Sequence, residues 1–330
     1  MNHISKFKLP SILEDILKEL RTIGAIPIVV GGSVRDFFLN IPVKDYDIEI
    51  FGIDSLDIIQ KSLEKFGCVK LVGKSFGVLT LRVNEYDFDF ALPRIEKKTG
   101  NTHQDFEIIT NANLSFKEAA IRRDFTINAI GYDFLKQEFL DPFDGINDLK
   151  SKVIRHINDI TFIEDSLRVY RAVQFASRFE FKVDENTKEL CKQIVLNDEL
   201  KYLPKERIYE EFKKLFLKSA KPSIGFELLR ELEILNCFPE LKALINCIQE
   251  PEYHPEGDVW IHTMMSLDEL AKILKEENIQ DEYRKLYLFY AILCHDFGKP
   301  FCTKEINGKI TSFKHESLGV EPTISFLSKL

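Results

Sequence analysis

The chain has 330 residues, with 45 Lys plus Arg against 53 Asp plus Glu, for a formal net charge of −8. Hydrophobic residues make up 45% and charged residues 30%, which excludes a disordered, collagen-like or disulfide-miniprotein chain. The acidic balance excludes a histone-like coat for nucleic acid but leaves room for local basic patches.

At roughly 100–200 residues per domain, the length predicts two or three domains. The six cysteines, Cys68, Cys191, Cys237, Cys247, Cys294 and Cys302, form no C-x-x-C pair. They read as reduced, mostly buried thiols. Residues 1–10 carry lysines but no apolar core of a signal peptide, and no stretch approaches the roughly 20 apolar residues of a membrane helix. The expected location is cytoplasmic, with no membrane partner.

Residues 11–23 place apolar side chains at helical spacing, with Ser11 as N-cap behind Pro10. Residues 26–30 read as a strand. Gly31-Gly32-Ser33 follows, then a helix start at Val34-Arg35-Asp36. Glycines there let backbone N–H groups approach an anion, and Arg35 adds charge; a plain tight turn accounts for the same letters. Residues 46–51, 78–83 and 86–91 read as further strands.

Asp45 and Asp47 face one side of a strand. Neighbouring carboxylates repel unless a cation sits between them. Oxygen ligands suit Mg²⁺, and two metals about 4 Å apart serve phosphoryl-type transfer. A solvated acidic strand end is the plain alternative. Asp87 and Asp89 also share a face, and Asp89, just before Ala91-Leu92-Pro93-Arg94, is the candidate third carboxylate that positions or deprotonates a hydroxyl. An exposed strand face explains that pattern equally well. The stretch from Ala91 to Lys97-Lys98-Thr99-Gly100 is expected to be a mobile basic loop. This order of elements predicts an α+β domain over residues 1–150.

Gly31-Gly32-Ser33-Val34-Arg35-Asp36 followed by Lys44-Asp45-Tyr46-Asp47 resembles the signature of the polymerase-β superfamily of nucleotidyltransferases. In particular it resembles the class II tRNA nucleotidyltransferases (CCA-adding enzymes) and bacterial poly(A) polymerases. The resemblance implies that Asp45 and Asp47 hold two catalytic Mg²⁺ ions and that Gly32 and Arg35 contact the nucleoside triphosphate. Residues 122–133, RRDFTINAIGYD, match the ribose-recognition motif of that family, which implies Arg123, Asp124 and Asn128 near the nucleotide sugar and phosphates. A capped helix with a surface ion pair is the plain alternative. Asp141-Pro142-Phe143-Asp144-Gly145 reads as a turn in which Pro sets φ and Gly supplies a positive φ; it matches a family motif linking head to neck.

Beyond residue 150 the signals are helical, over 165–179, 185–196, 204–218, 223–235, 260–276 and 283–295. On a helix Asp165, Arg168 and Arg171 would share a face. That spacing supports a salt bridge worth a few tenths of a kcal/mol. It also supports base reading, because an aspartate accepts from an exocyclic amine and an arginine donates to a ring nitrogen or carbonyl. Cytosine and adenine both offer that pattern; uracil and guanine do not. The motif resembles the EDxxR element of the same family, which implies base selection by Asp165 and Arg168 with Arg171 nearby. Pro204-Lys205-Glu206-Arg207 matches its last core motif, within a net-positive stretch at 201–230 that reads as a phosphate track or a solvated helix face.

Residues 254–262, ending in His262, and the dipeptide His295-Asp296 resemble the HD phosphohydrolases. Imidazole and carboxylate together suit a divalent transition metal or Mg²⁺, with His315 as an auxiliary; an HD fold kept for packing alone is the other reading.

The expected architecture is α+β: a polymerase-β-like head with a small mixed or antiparallel sheet over 1–150, a helical neck and body for base selection and tRNA binding over 151–240, and a helical HD-type domain over 241–330. The partners implied are the tRNA 3′ end, CTP and ATP. Poly(A) addition, through Lys74 in Val72-Gly73-Lys74-Ser75-Phe76, and CC-only or A-only addition are the near alternatives. An HD-type phosphohydrolase with a nucleotide-binding head is the alternative of another class. Oligomeric state stays open.

Overall fold

The structure, a computed structural model, describes residues 7–72, 77–98 and 106–330. It divides into two compact units, Met1–Asp165 and Ser166–Leu330. The expected element around Lys74, and the tip of the expected basic loop at Thr99-Gly100, lie outside the described residues.

In the first unit, helix α1 (Ser11–Thr22) buries Leu13, Ile16, Leu17 and Leu20 completely, the one face their spacing puts together. Its N-cap is Pro10, with extended backbone, so Ser11 is the first helical residue and caps nothing. Strand β1 (Ile26–Val30) leads through Gly31 into α2 (Gly32–Phe38), then β2 (Asp45–Phe51) and α3 (Leu56–Leu63). Strands β3 (Val69–Val72), β4 (Val78–Val83), β5 (Tyr86–Ala91), β6 (Arg94–Lys98) and β7 (Phe106–Thr110) follow. Residues 94–98, expected as loop, pair with β7 as a two-stranded ribbon.

Helix α4 (Phe116–Ala120) begins with a capping box between Ser115 and Glu118. Strands β8 (Gly131–Asp133) and β9 (Glu138–Leu140) and helices α5 (Gly145–Ser151) and α6 (Asp159–Glu164) complete the unit.

Seven strands form one sheet in the order β3-β4-β5-β2-β1-β8-β9. Only β2 and β5 run parallel; the other neighbours are antiparallel. β1 lies inside the sheet, between β2 and β8, with Ile28, Val29 and Val30 all buried. A strand covered on both faces reads as a continuous apolar run rather than an alternation, which is the letter pattern IPIVV. Ile28 and Val30 pack with Phe51 and Ala119 on one face. At the β8–β9 end of the sheet Phe7, Phe37, Tyr132 and Phe139 form an aromatic cluster with ring centroids 4.5–6.2 Å apart.

The second unit comprises α7 (Leu167–Phe179), α8 (Glu185–Leu196), α9 (Lys205–Lys218), α10 (Ser223–Glu231), α11 (Pro239–Lys242), α12 (Val259–Glu276), α13 (Glu282–Cys294), α14 (Lys299–Cys302), α15 (His315–Leu318) and α16 (Val320–Leu327). The stretch expected as one helix over 223–235 breaks at Glu233, whose φ of 63° is left-handed, and resumes as a 3₁₀ turn. A β-hairpin pairs Lys304–Ile306 with Lys309–Thr311, so this region is not all-α. Its turn is Asn307-Gly308, both at positive φ, the residue pair such turns favour. The thiols are less buried than expected: Cys191 and Cys294 are buried, while Cys68 and Cys237 are exposed.

Candidate active site

The parallel joint between β2 and β5 assembles the first cluster. It sets Asp45 opposite Asp87 and Asp47 opposite Asp89. On the other flank β1 sets Val30 opposite Asp47. Asp47 and Asp89 line one cavity together with Glu49, Arg94, Arg122 and Arg123. Asp45 lies two residues before Asp47 on the same strand face and is exposed. Asp87 is drawn aside by Arg82, 3.6 Å away. Asp89 accepts a 2.7 Å hydrogen bond from Thr80 Oγ1, which fixes its rotamer.

Charge is unevenly compensated here. Desolvation raises the Asp47 carboxyl above its ordinary value; Arg123 offsets part of this, and Asp89, Glu49 and Asp45 add to it. Burial would likewise raise Glu49, but Arg123 and Arg122 overrule it and hold that carboxyl below the usual value. Arg122 Nη2 is 2.7 Å and Arg123 Nη2 3.5 Å from Glu49 Oε1. Glu49 therefore spends its charge on the arginines. Asp45, Asp47 and Asp89 remain as a hard-oxygen set whose crowding a divalent cation relieves, and such donors fit Mg²⁺.

Gly31 explains why the turn needs glycine. Its φ is +72°, and a Cβ there would stand 3.1 Å from Arg123 Nη1 and 3.3 Å from Asp47 Oδ2. The missing side chain leaves the space between the carboxylate and the guanidinium.

Beside this cavity runs a buried polar chain. Arg35, 5% exposed, donates from Nε to Asp36 Oδ1 (2.7 Å) and from Nη1 to Asn128 Oδ1 (2.6 Å). Asn128 Nδ2 donates to Asp124 Oδ1 at 2.9 Å, and the Phe125 N–H donates to the same oxygen. Asn128 ends a 3₁₀ turn, Thr126–Asn128, so the capped helix offered as the plain alternative does not form there. Arg123 Nη1 approaches the Asn128 carbonyl at 3.5 Å, linking the chain to the carboxylate cavity.

The Asp141–Gly145 turn also differs from expectation. Positive φ falls on Asp144, at 59°, not on Gly145. Glycine is needed because a Cβ at 145 would overlap the Thr126 carbonyl. Asp141 accepts from the Gly145 and Ile146 N–H groups at 2.7 and 2.9 Å and so starts α5.

Asp165 does not share a helix with Arg168. It follows α6 in extended backbone, φ −119° and ψ 95°, as the last residue of the first unit. Arg168 lies in the first turn of α7 and is 8% exposed. One turn on, Arg171 stacks on Phe175 at 5.1 Å and lies 4.0 Å from Glu211 of α9.

A second cluster lies in the Ser166–Leu330 unit. One ligand atom each from His262, His295 and Asp296 falls within 4.8 Å of the others, and the same holds for His254, Glu256 and His262. Glu256 Oε1 meets His262 Nδ1 at 2.7 Å and His254 Nδ1 at 3.0 Å. Its own backbone N–H and then these two rings hold Glu256 at about 2. Burial opposes ionisation of Asp296, but His295 and Lys299 outweigh it and hold the carboxyl at about 2. Lys299 Nζ is 2.8 Å and His315 Nε2 3.7 Å from Asp296. Imidazole nitrogens beside a carboxylate fit a transition metal; Lys299 is the competing cation already there.

Glu49 in the first unit and Glu256 and Lys299 in the second escaped the sequence reading, while Gly31 and Arg122 were read only as parts of their motifs. Glu49 was legible, since Asp45, Asp47 and Glu49 continue one period-2 face.

Fold and carboxylate cavity together define a nucleotidyltransferase-type head. The family described as "Poly A polymerase head domain" matches residues 28–155, and "Probable RNA and SrmB- binding site of polymerase A" matches 180–245. The multifunctional CCA protein of Haemophilus ducreyi is 36% identical over 84% of this chain and 65% of its own. That of Mannheimia succiniciproducens is 35% identical over 92% of this chain and 69% of its own. The chain therefore spans about two thirds of the length of these relatives. A solved tRNA-processing enzyme (apo form 2) shares 25% identity at a TM-score of 0.64, covering 94% of this chain and 77% of its own. A tRNA nucleotidyltransferase complexed with a primer tRNA and an incoming ATP analog shares 27% identity at 0.56, covering 83% and 82%. The chain belongs to the family of CCA-adding enzymes and poly(A) polymerases.

Proposed function

We propose that this chain adds C, C and A to tRNA 3′ ends from CTP and ATP, releasing pyrophosphate. The observation that carries the proposal is the in-register Asp47–Asp89 pair facing Arg123 across the space left by Gly31. The tRNA and ATP analog bound by one structural relative support the choice of substrates.

In this reading Asp45 and Asp47 hold two Mg²⁺ ions, which when bound activate the attacking hydroxyl and neutralise the triphosphate. Asp89, fixed by Thr80, orients the primer 3′-OH and takes its proton. Arg123, braced by Glu49, meets a phosphate, and Gly32, whose absent Cβ would stand 3.4 Å from Arg35, leaves its backbone open to the triphosphate. Arg35, expected on the triphosphate, is 5% exposed with its guanidinium on Asp36 and Asn128, so we assign it to holding Asn128, whose amide Asp124 also holds and whose side chain is set beside the ribose in one orientation. Asp165 accepts from the amine of cytosine or adenine and Arg168 donates to the neighbouring acceptor, with Arg171 close to the nucleotide. Uracil and guanine would leave the carboxylate unpaired, a large discrimination.

The test supplies purified protein with tRNA lacking its 3′ end and labelled CTP or ATP. Ordered addition of C, C and A is expected. A long A tail would identify a poly(A) polymerase, and addition of C or A alone a partial enzyme.

A second activity is favoured by the cluster of His262, His295 and Asp296. We read residues 241–330 as an HD-type domain in which these three bind a divalent transition metal and hydrolyse a phosphate ester. Its test is metal-dependent release of phosphate from a model ester, abolished by Asp296→Ala.

A further inference from the structure

We infer that Glu256 is the positioning residue of the His262–His295–Asp296 cluster. It holds the His262 ring so that Nε2 is left for the metal, and the His254–Glu256–His262 group is this support, not a second metal site. The metal rests on the phosphohydrolase reading above; the ring orientation rests on hydrogen bonds alone.

His295 Nε2 lies 3.2 Å and His315 Nε2 3.7 Å from the Asp296 carboxylate. His262 stands beside them, its ring centroid 5.5 Å from that of His295. All these rings have Nδ1 engaged. His295 Nδ1 meets the Ile292 carbonyl at 2.6 Å, and His315 Nδ1 meets the Ser312 carbonyl at 2.9 Å. A carbonyl oxygen only accepts, so each Nδ1 carries the proton and each neutral ring keeps its Nε2 lone pair for a cation. His262, near the start of α12, has no such carbonyl; its Nδ1 meets Glu256 Oε1 at 2.7 Å. An ionised carboxylate also only accepts, which gives His262 the same tautomer as its neighbours. Its orientation depends on a side chain, and the negative charge of that side chain makes the ring a more basic ligand.

Spacing separates support from ligand. Donor atoms about 2.1 Å from one ion lie about 3.0–3.4 Å apart at octahedral and tetrahedral angles. The 2.7 Å from Glu256 Oε1 to His262 Nδ1 falls short of both and is the length of a charge-assisted hydrogen bond. His254 Nδ1 meets the same oxygen at 3.0 Å. A proton, not an ion, therefore sits between Glu256 and each ring.

The backbone fixes Glu256 independently of the rings. Gly257, the next residue, takes a φ of +127° that favours glycine. Asp258 then caps α12, accepting from the Ile261 N–H at 2.9 Å and from the Asn246 N–H at 2.6 Å. Gln249 Nε2 donates to the Gly257 carbonyl at 3.3 Å, while its Oε1 accepts from Lys299 Nζ at 2.7 Å. Lys299 Nζ is also 2.8 Å from Asp296. This run of polar contacts ties the turn carrying Glu256 to Asp296, so carboxylate and cluster keep one relative placement.

The test uses the full chain carrying Asp45→Asn/Asp47→Asn, which takes away the cation site of the head. Co²⁺ is titrated by calorimetry and by visible absorption. One Co²⁺ per chain, lost in Asp296→Ala, is expected. Glu256→Gln should weaken its binding by about 10–100-fold and shift its d–d bands, because the new amide can donate to Nδ1 and move the ring proton to Nε2. His254→Ala should leave the affinity unchanged. A second Co²⁺ that both Glu256→Gln and His254→Ala abolish would overturn the proposal, as would a Glu256→Gln protein that binds Co²⁺ as its parent does. NMR of the metal-free protein with isotope-labelled histidine gives a readout that needs no cation. His262 should be protonated at Nδ1 in the parent and at Nε2 in Glu256→Gln; protonation at Nε2 in the parent overturns the proposal whatever the metal does. A parent that binds no Co²⁺ yet shows the Nδ1 tautomer would retire the phosphohydrolase reading and leave the orientation standing. Should Glu256→Gln melt early, Glu256→Asp, which keeps the charge and shortens the reach, takes its place.

Discussion

Asp47 and Glu49 sit two residues apart on one strand face, yet their carboxyls move in opposite directions. Asp47 is raised because desolvation and three nearby carboxylates outweigh Arg123. A raised carboxyl means the folded state resists ionisation, so its contribution declines as pH rises above the unfolded value near 4. Asp47→Asn is therefore expected to raise the melting temperature of the metal-free protein at pH 7 while reducing nucleotide addition by about 10³-fold or more. Unchanged melting would contradict the crowding argument. Glu49 is lowered by its two arginines, so its contribution is complete above about pH 4.5 and is lost as pH falls through the folded value. Glu49→Ala should cost about 2–3 kcal/mol in urea unfolding at pH 7, because two partly covered guanidinium groups lose their counter-charge. The cost should shrink towards pH 3. An equal cost at both pH values would rule the ion pair out as its source.

At the scale of elements, periodicity located the longer helices α1, α7–α10, α12 and α13, the start of α2 and the strands β1, β2, β4 and β5, because a buried face at a fixed spacing is a local property of the letters; it passed over α3–α6, α11 and α14–α16. It also missed elements set by contact. Residues 94–98 become strand by pairing with β7, where the facing Ile95 and Ile109 are both exposed and make no buried stripe. Gly145 carries ordinary backbone geometry, and only the Thr126 carbonyl packed against it demands glycine. Gly145→Ala should destabilise the first unit by about 1–3 kcal/mol, read from its urea midpoint; a neutral result would show that the α5 start can shift freely. Ser115→Ala should cost about 1 kcal/mol through the lost capping box, which Glu118 alone cannot replace.

Across the whole molecule, charge distribution says more than the total of −8. Eight Lys and Arg residues fall within 201–230, but Lys201, Lys213, Lys214 and Arg230 are ion-paired to carboxylates. RNA affinity is thus expected to fall with salt on a slope well short of eight phosphates. A slope near zero would remove this stretch as a phosphate track. The head carboxylates and the His262–His295–Asp296 cluster belong to different compact units. Asp296→Ala is accordingly expected to abolish phosphate-ester hydrolysis and spare C addition, and Asp47→Ala the reverse. Loss of both activities from either variant would refute two separate sites. Asp165→Ala should relax base choice, seen as incorporation of UTP or GTP.

The letters alone were enough for the family and for most of the residues in question, since Gly31–Asp36, Asp45–Asp47 and 122–133 are contiguous strings whose chemistry is tied to their order. They were also enough for the alternation that puts Asp45 and Asp47 on one face. Which carboxylate stands beside Asp47 was decided by the parallel joining of β2 to β5, a pairing across some forty residues of chain. Pairing of Glu49 with Arg122 and Arg123, and of Arg35 with Asn128, spans longer gaps still. Backbone geometry placed Asp165 between helices instead of on one. Short-range spacing encodes faces and turns; partners far apart in sequence meet only when the sheet closes, because desolvation and charge act through space and take no account of chain distance.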